Sequence, residues 1–165
     1  METQRPNSLR TQLIAWLLFF PWAAPLAFGH NASVHEAKLY QLSKFQRFDL
    51  ASLKGKKFVL VFFQPDCPPC REQMKALKCL KEKFKKVEVV AVGVGEQPAL
   101  AKEVRPLALN YPALESTPKF QALVDGVTST PSTLYVDEQG HITSREEGTR
   151  SCEDWEKVAK SKVLF

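Results

Sequence analysis

Glycine is scarce in this sequence, 7 of 165 residues against 11 proline, which excludes collagen-like repeats and Gly/Ser linker stretches. Long hydrophobic runs are missing too. The longest, 13–28 (LIAWLLFFPWAAPLAF), holds sixteen residues and is broken by Pro21 and Pro25, short of the roughly 20 that a membrane-spanning helix needs. There is no internal repeat, and the basic residues are not interleaved with aromatics as in single-strand or RNA readers, so no nucleic-acid partner is expected. Four cysteines are too few for a disulfide-dense mini-scaffold. What is present, 44% hydrophobic and 25% charged residues, excludes a disordered tail and a polytopic membrane protein. The length suits one domain with a short appendage.

Residues 1–29 read as that appendage. Arg5 and Arg10 precede the apolar run, and Ala27-Phe28-Gly29 sets small residues where a signal peptide is cut, so cleavage is expected before His30. The alternative is an uncleaved anchor that attaches the chain to a membrane through 13–28. Either way the remainder is expected to be exported, to the periplasm, either soluble or facing it from the inner membrane. Cleavage would leave 136 residues with a net charge of +4. A chain that long buries enough surface to fold without metal or disulfides. In an oxidising compartment a cysteine pair becomes a disulfide unless something reduces it.

Residues 30–44 are polar and mixed, and read as a tether with one short helical turn; the domain proper is placed at 45–165. After a short extended piece and a turn at Gly55, Phe58–Phe63 (FVLVFF) has the unbroken β-branched and aromatic character of a strand buried on both faces. Gln64-Pro65-Asp66 ends it. A helix opens at Cys67, with Pro68 and Pro69 in the first turn, where a missing N–H costs nothing. Its stripe at helical spacing runs through Cys70, Met74, Leu77, Lys81 and Phe84, with Leu80 beside them. A second buried strand spans 87–94 (VEVVAVGV). Helices follow over 98–109 and 118–124, with a short extended piece over 111–114. A hairpin over 132–136 and 141–145 turns at Asp137-Glu138-Gln139-Gly140, and Ser151-Cys152-Glu153-Asp154 opens a last helix through 162. This order predicts an α/β fold, a mixed central sheet flanked by helices. The basic stretch 71–86, with seven Lys or Arg, reads as the solvated face of its helix, and otherwise as a cationic rim for acidic partners or anionic lipids.

The chemistry concentrates at Cys67-Pro68-Pro69-Cys70. A cysteine at a helix start faces unpaired backbone N–H groups and the positive end of the helix dipole, which stabilises a thiolate, the attacking species in disulfide exchange. Cys70, one turn on and pointing inward, is placed to resolve a mixed disulfide. Zinc would need a second ligand pair, and Cys79, Cys152, His30, His35 and His141 are scattered, so no metal is expected. A purely structural disulfide closing so short a loop would stabilise little. The spacing of Gly93-Val94-Gly95 lacks the third glycine of a dinucleotide loop. Cys79 stands on the opposite helix face from Cys70. It either pairs with Cys152 or both are free thiols, and spacing leaves both open.

The stretch LASLKGKKFVLVFFQPDCPPCREQM resembles the thioredoxin superfamily, specifically its exported TlpA-like thiol–disulfide oxidoreductases. The similarity continues through EVVAVGV, YPAL, TSTPSTLYVDEQGHI and Gly148. It implies a thioredoxin-like fold and a redox-active Cys67–Cys70 disulfide as the whole catalytic equipment, with no further cofactor. By the same resemblance Cys67 is the exposed nucleophile and Cys70 the buried resolving thiol. Pro131 matches the cis-proline whose loop meets the substrate, and Thr130 before it tunes redox behaviour. The implied partners are disulfide-bearing envelope proteins, among them apocytochrome c in cytochrome c maturation, and a membrane-bound thiol reductant.

The sequence departs from that pattern in ways that bear on rate. Asp66 replaces the usual Trp before the first cysteine, and its charge opposes the Cys67 thiolate. Gln73 stands where this branch often has a proton-transferring Glu, Val61 where thioredoxin has its buried Asp, and Lys75 where a helix-kinking Pro is usual. The favoured reading is a reductase of envelope disulfides. Its alternatives are a disulfide-donating oxidase of the same fold and a Cu(I) metallochaperone using the Cys pair without turnover. Peroxidase relatives rely on a T-x-x-C site, which the Cys67 pair does not carry.

Overall fold

The computed structural model describes residues 33–44 and 46–161, so the expected leader over 1–29 and its cleavage point lie outside the described residues. Seven strands are found among them: β1 (Lys38–Gln41), β2 (Arg47–Asp49), β3 (Phe58–Phe63), β4 (Glu88–Gly93), β5 (Ala113–Glu115), β6 (Ser132–Val136) and β7 (Ile142–Glu147). They form one sheet in the order β2-β1-β5-β4-β3-β6-β7. The three central strands β5, β4 and β3 are mutually parallel, and the pairs β1–β2, β1–β5, β3–β6 and β6–β7 are antiparallel. Four helices join them: α1 (Pro68–Lys83), α2 (Gln97–Val104), α3 (Pro118–Leu123) and α4 (Cys152–Lys160).

The expected mixed sheet is therefore present, and β3 coincides with the FVLVFF run. All six of its residues are buried because helices cover both faces. Val59, Val61 and Phe63 point to the side packed by α1, α2 and α4, with Met74, Leu77, Leu100 and Trp155. Phe58, Leu60 and Phe62 point the other way, against Val34, Leu50, Phe120 and Val124. This period-two division continues into β4, where Val89 and Ala91 face one cluster and Val90 and Val92 the other.

The segment expected as a tether is not one in its described part. A 3-10 turn at Val34–Glu36, capped by Ser33, leads into β1, which pairs with β2 and with β5 inside the sheet. The domain therefore includes residues from Ser33 onward rather than starting at 45. Its apolar anchors, Val34, Leu39 and Leu42, are fully buried but stand singly among polar residues, too sparsely to show a period. The cationic helix face also resolves into local pairing. Arg71 meets Glu103, Lys75 meets Glu72, Lys81 meets Glu88 and Lys83 meets Glu156, while Lys78 donates to the Leu107 carbonyl.

Candidate active site: a disulfide at the start of α1

Cys67 is the N-cap of α1, in extended conformation, with Pro68 and Pro69 in the first turn. The prolines take two N–H groups away from the helix end, and the Cys70 N–H donates to Cys67 Sγ at 3.2 Å. The first-turn field on the Cys67 sulfur is thus carried largely by one N–H and by the helix dipole. The two sulfurs are joined, with Cα atoms 5.2 Å apart. Cys67 is 6% exposed and Cys70 1%, so Cys67 is the more accessible of the two, although far less open than the exposed nucleophile that the resemblance implied. Pro68 and Pro69 are exposed beside it.

Opposite the pair lies the loop before β6. The Thr130–Pro131 peptide bond is cis. The Thr130 carbonyl and hydroxyl both stand 3.9 Å from Cys67 Sγ, which sets Thr130, with Pro131 next to it in the chain, against the cysteine pair. The Gly148 N–H donates to the Pro131 carbonyl at 2.9 Å and backs this loop from behind.

Gln73 is buried and fully engaged. Its Nε2 donates to Thr133 Oγ1 at 3.3 Å, and its Oε1 accepts the Arg150 N–H at 2.7 Å. The side chain thus ties α1 to β6 and to the loop before α4, and an amide there has no proton to transfer. Val61 is sealed in the core, and Lys75 sits in an unbroken helix. Around Gln73, Glu146 accepts a bidentate pair from Arg150 and the Tyr135 hydroxyl at 3.0 Å. Burial, reinforced by Glu146, pushes the Tyr135 hydroxyl far above its ordinary pKa.

Glu103, which the sequence did not single out, meets the residues on both sides of the motif. Asp66, immediately before Cys67, has φ +53°, a left-handed conformation costing a non-glycine residue about 1 kcal/mol. Its N–H donates to Glu103 Oε1 at 3.2 Å, and Arg71, immediately after Cys70, donates to Glu103 Oε2 at 2.7 Å. A charged residue late in a short amphipathic helix gives no signal in sequence, because nothing there says which loop it faces.

Cys79 and Cys152 are also joined, with S–S 2.04 Å and Cα atoms 6.0 Å apart, which decides the choice that spacing left open. One T-x-x-C spacing does occur in the chain, Thr149 to Cys152, but its sulfur is the one bonded to Cys79. Among the described residues no group of three or more His, Cys, Asp or Glu is placed to hold a metal ion. No described helix is long and apolar enough to cross a membrane.

A family model for the AhpC/TSA family matches residues 29–145. Over 116 residues the chain is 33% identical to the thioredoxin-like protein YneN of Bacillus subtilis, covering 67% of this chain and 68% of that one. Over 107 residues it is 29% identical to the thiol-disulfide oxidoreductase ResA of the same organism, covering 63% and 60%. The chain therefore spans roughly two thirds of the length of these relatives. The fold matches that of a thiol:disulfide interchange protein of the thioredoxin family from Chlorobium tepidum with a TM-score of 0.68, at 23% identity over 77% of this chain and 92% of that structure.

Proposed function

Since this chain belongs to the AhpC/TSA family, with a thioredoxin-like fold and thiol–disulfide oxidoreductases among its relatives, we propose that it reduces disulfides of other exported proteins through Cys67 and Cys70. The observation that carries this is the asymmetry of the pair: Cys67 caps the helix and faces Thr130, while Cys70 lies behind it with almost no exposure.

In the proposed cycle the reduced Cys67 thiolate attacks one sulfur of the substrate disulfide. A Cys67–substrate disulfide forms and the other substrate sulfur leaves as a thiolate. Cys70, deprotonated, then attacks Cys67 Sγ, re-forming the Cys67–Cys70 bond and expelling the second substrate thiolate. Two electrons pass from the dithiol to the substrate, and protons from the two thiols end on the substrate sulfurs. The closed disulfide is the product state, which a thiol reductant at the membrane would open again. With Gln73 and Val61 at the usual proton-handling positions, deprotonation of Cys70 is left to solvent or substrate, which predicts slow resolution. Pro131, Thr130, Pro68, Pro69 and Asp66 frame the surface on which the substrate lies.

Export is supported by the chain's own sulfur chemistry. A disulfide joining two helices far from the Cys67 pair persists in an oxidising compartment and not in a reducing cytosol. Cytochrome c maturation and attachment through 13–28 belong to the same reading.

A Cys70→Ser protein incubated with a disulfide-bearing peptide should accumulate a mixed disulfide on Cys67 that dithiothreitol releases, and Cys67→Ser should accumulate none. Equilibration with a thiol buffer then fixes direction. A potential of about −270 mV supports a reductase, whereas about −120 mV makes the protein a disulfide donor.

A further inference from the structure

Glu103 bridges the two residues that bracket the cysteine motif. Its Oε1 accepts the N–H of Asp66 and its Oε2 the guanidinium of Arg71. The Glu103 side chain is only 9% exposed, and that of Arg71 is 38% exposed. Burial pushes the Glu103 carboxyl up, but Arg71, the Asp66 N–H and Lys102 outweigh it and hold it below the ordinary carboxylate value. The carboxylate is therefore ionised wherever the cysteines would work.

We propose that Glu103 and Arg71 form a charge-balanced clamp that positions the Cys67 loop and sets the ionisation of the Cys67 thiol. Both are positioning residues; neither touches the reacting sulfurs. The backbone half of the clamp accepts the N–H of Asp66 in its left-handed conformation, which directs the next residue, Cys67, to the helix N-cap. The charge half places an anion and a cation together beside the same turn. Each cancels the other's field at Cys67, so that the helix end and Asp66 dominate there. The Coulomb sum then predicts opposite outcomes for removing one charge or the other. Loss of the anion exposes the Arg71 cation and favours the thiolate, whereas loss of the cation exposes Glu103 and disfavours it.

This rests on Cys67 being the attacking thiol, and one experiment separates the two claims. The reduced full-length protein and its Glu103→Gln and Arg71→Gln variants are alkylated with iodoacetamide across pH 4–10, and labelling is followed at Cys67 and Cys70 separately by peptide mass. Glu103→Gln keeps the side-chain size and one acceptor for the Asp66 N–H, whereas Arg71→Gln shortens the side chain and removes the guanidinium, and thermal melting checks that both variants fold. The expected result is a Cys67 midpoint lower in Glu103→Gln and higher in Arg71→Gln, each by about half a pH unit or more, a threefold change in thiolate fraction on the flank of the curve. A purely structural role would slow labelling in both variants without moving the midpoints in opposite directions, and that result overturns the clamp. Parallel or absent shifts overturn it equally. Preferential labelling of Cys70 in the unsubstituted protein overturns the assignment of Cys67 and the clamp with it.

Discussion

His35 is a titratable residue that the redox chemistry does not use, and its surroundings give it a measurable effect on stability. It is 3% exposed, its ring stacks on Phe58 at 5.8 Å, and its Nε2 has no hydrogen-bond partner among the described residues. Burial lowers its pKa, Lys54 and His141 lower it further, and the Gln139 carbonyl and Asp137 only partly restore it. The folded state thus favours neutral imidazole. Its contribution to stability is complete above the unfolded pKa of about 6.5 and is lost as pH falls toward the depressed folded value. Thermal melts at pH 7.5 and pH 5 should show a smaller drop for His35→Phe, which keeps the stacking, than for the unsubstituted protein. Equal drops would place the acid sensitivity elsewhere. From sequence His35 was one of several scattered histidines, since the burial that makes it matter comes from β3 and from the turn at Gly140, both distant along the chain.

At the scale of elements, close approaches that only small residues permit decide the packing. Gly140 has φ +87°, and a Cβ there would collide with Ser33 Oγ and lie 2.7 Å from His35 Nδ1. The hairpin turn is thereby pressed onto the 3-10 turn that begins the domain, with the Val34 N–H donating to the Gly140 carbonyl. Gly140→Ala should cost roughly 1–3 kcal/mol, from the disfavoured φ and the clash together, read as a lowered urea midpoint at unchanged slope. A similar contact seats α2: a Cβ on Gly93 would lie 2.5 Å from Leu100 Cδ2 and 2.9 Å from Phe63 Cζ. The helix that carries Glu103 thus packs directly against the end of β4. Strands β3, β4 and β6 were legible because their apolar runs are dense and local. Strand β1 was not, because its Leu39 is buried in a cluster with Leu60, Leu114 and Phe120, all distant along the chain.

For the whole molecule, the Cys79–Cys152 disulfide connects α1 to α4 across 73 residues of sequence. A loop of that size removes much more entropy from the unfolded chain than the three-residue separation of Cys67 and Cys70. Substituting both Cys79 and Cys152 by Ser should lower unfolding free energy by about 2–4 kcal/mol, whereas the Cys67→Ser/Cys70→Ser protein should lose much less. Urea unfolding of the two double variants without reductant checks the ordering. The neighbouring Lys83–Glu156 pair is half exposed on the lysine side and offsets little of that loss.

The strand–helix order, the buried β3 and β4, the helix start at Cys67 and the chemistry available to a Cys-x-x-Cys pair there follow from the amino-acid order alone. All of these depend on neighbours within a few residues, where periodicity, proline placement and capping act directly. Tertiary structure decided that 33–44 joins the sheet, that Cys79 meets Cys152, that Gln73 is a buried bridge and that Glu103 reaches around the motif. Each of these is a meeting of groups far apart along the chain. Such meetings are fixed by which face of the sheet each helix covers and by the few glycines that let them approach, and no local pattern records either.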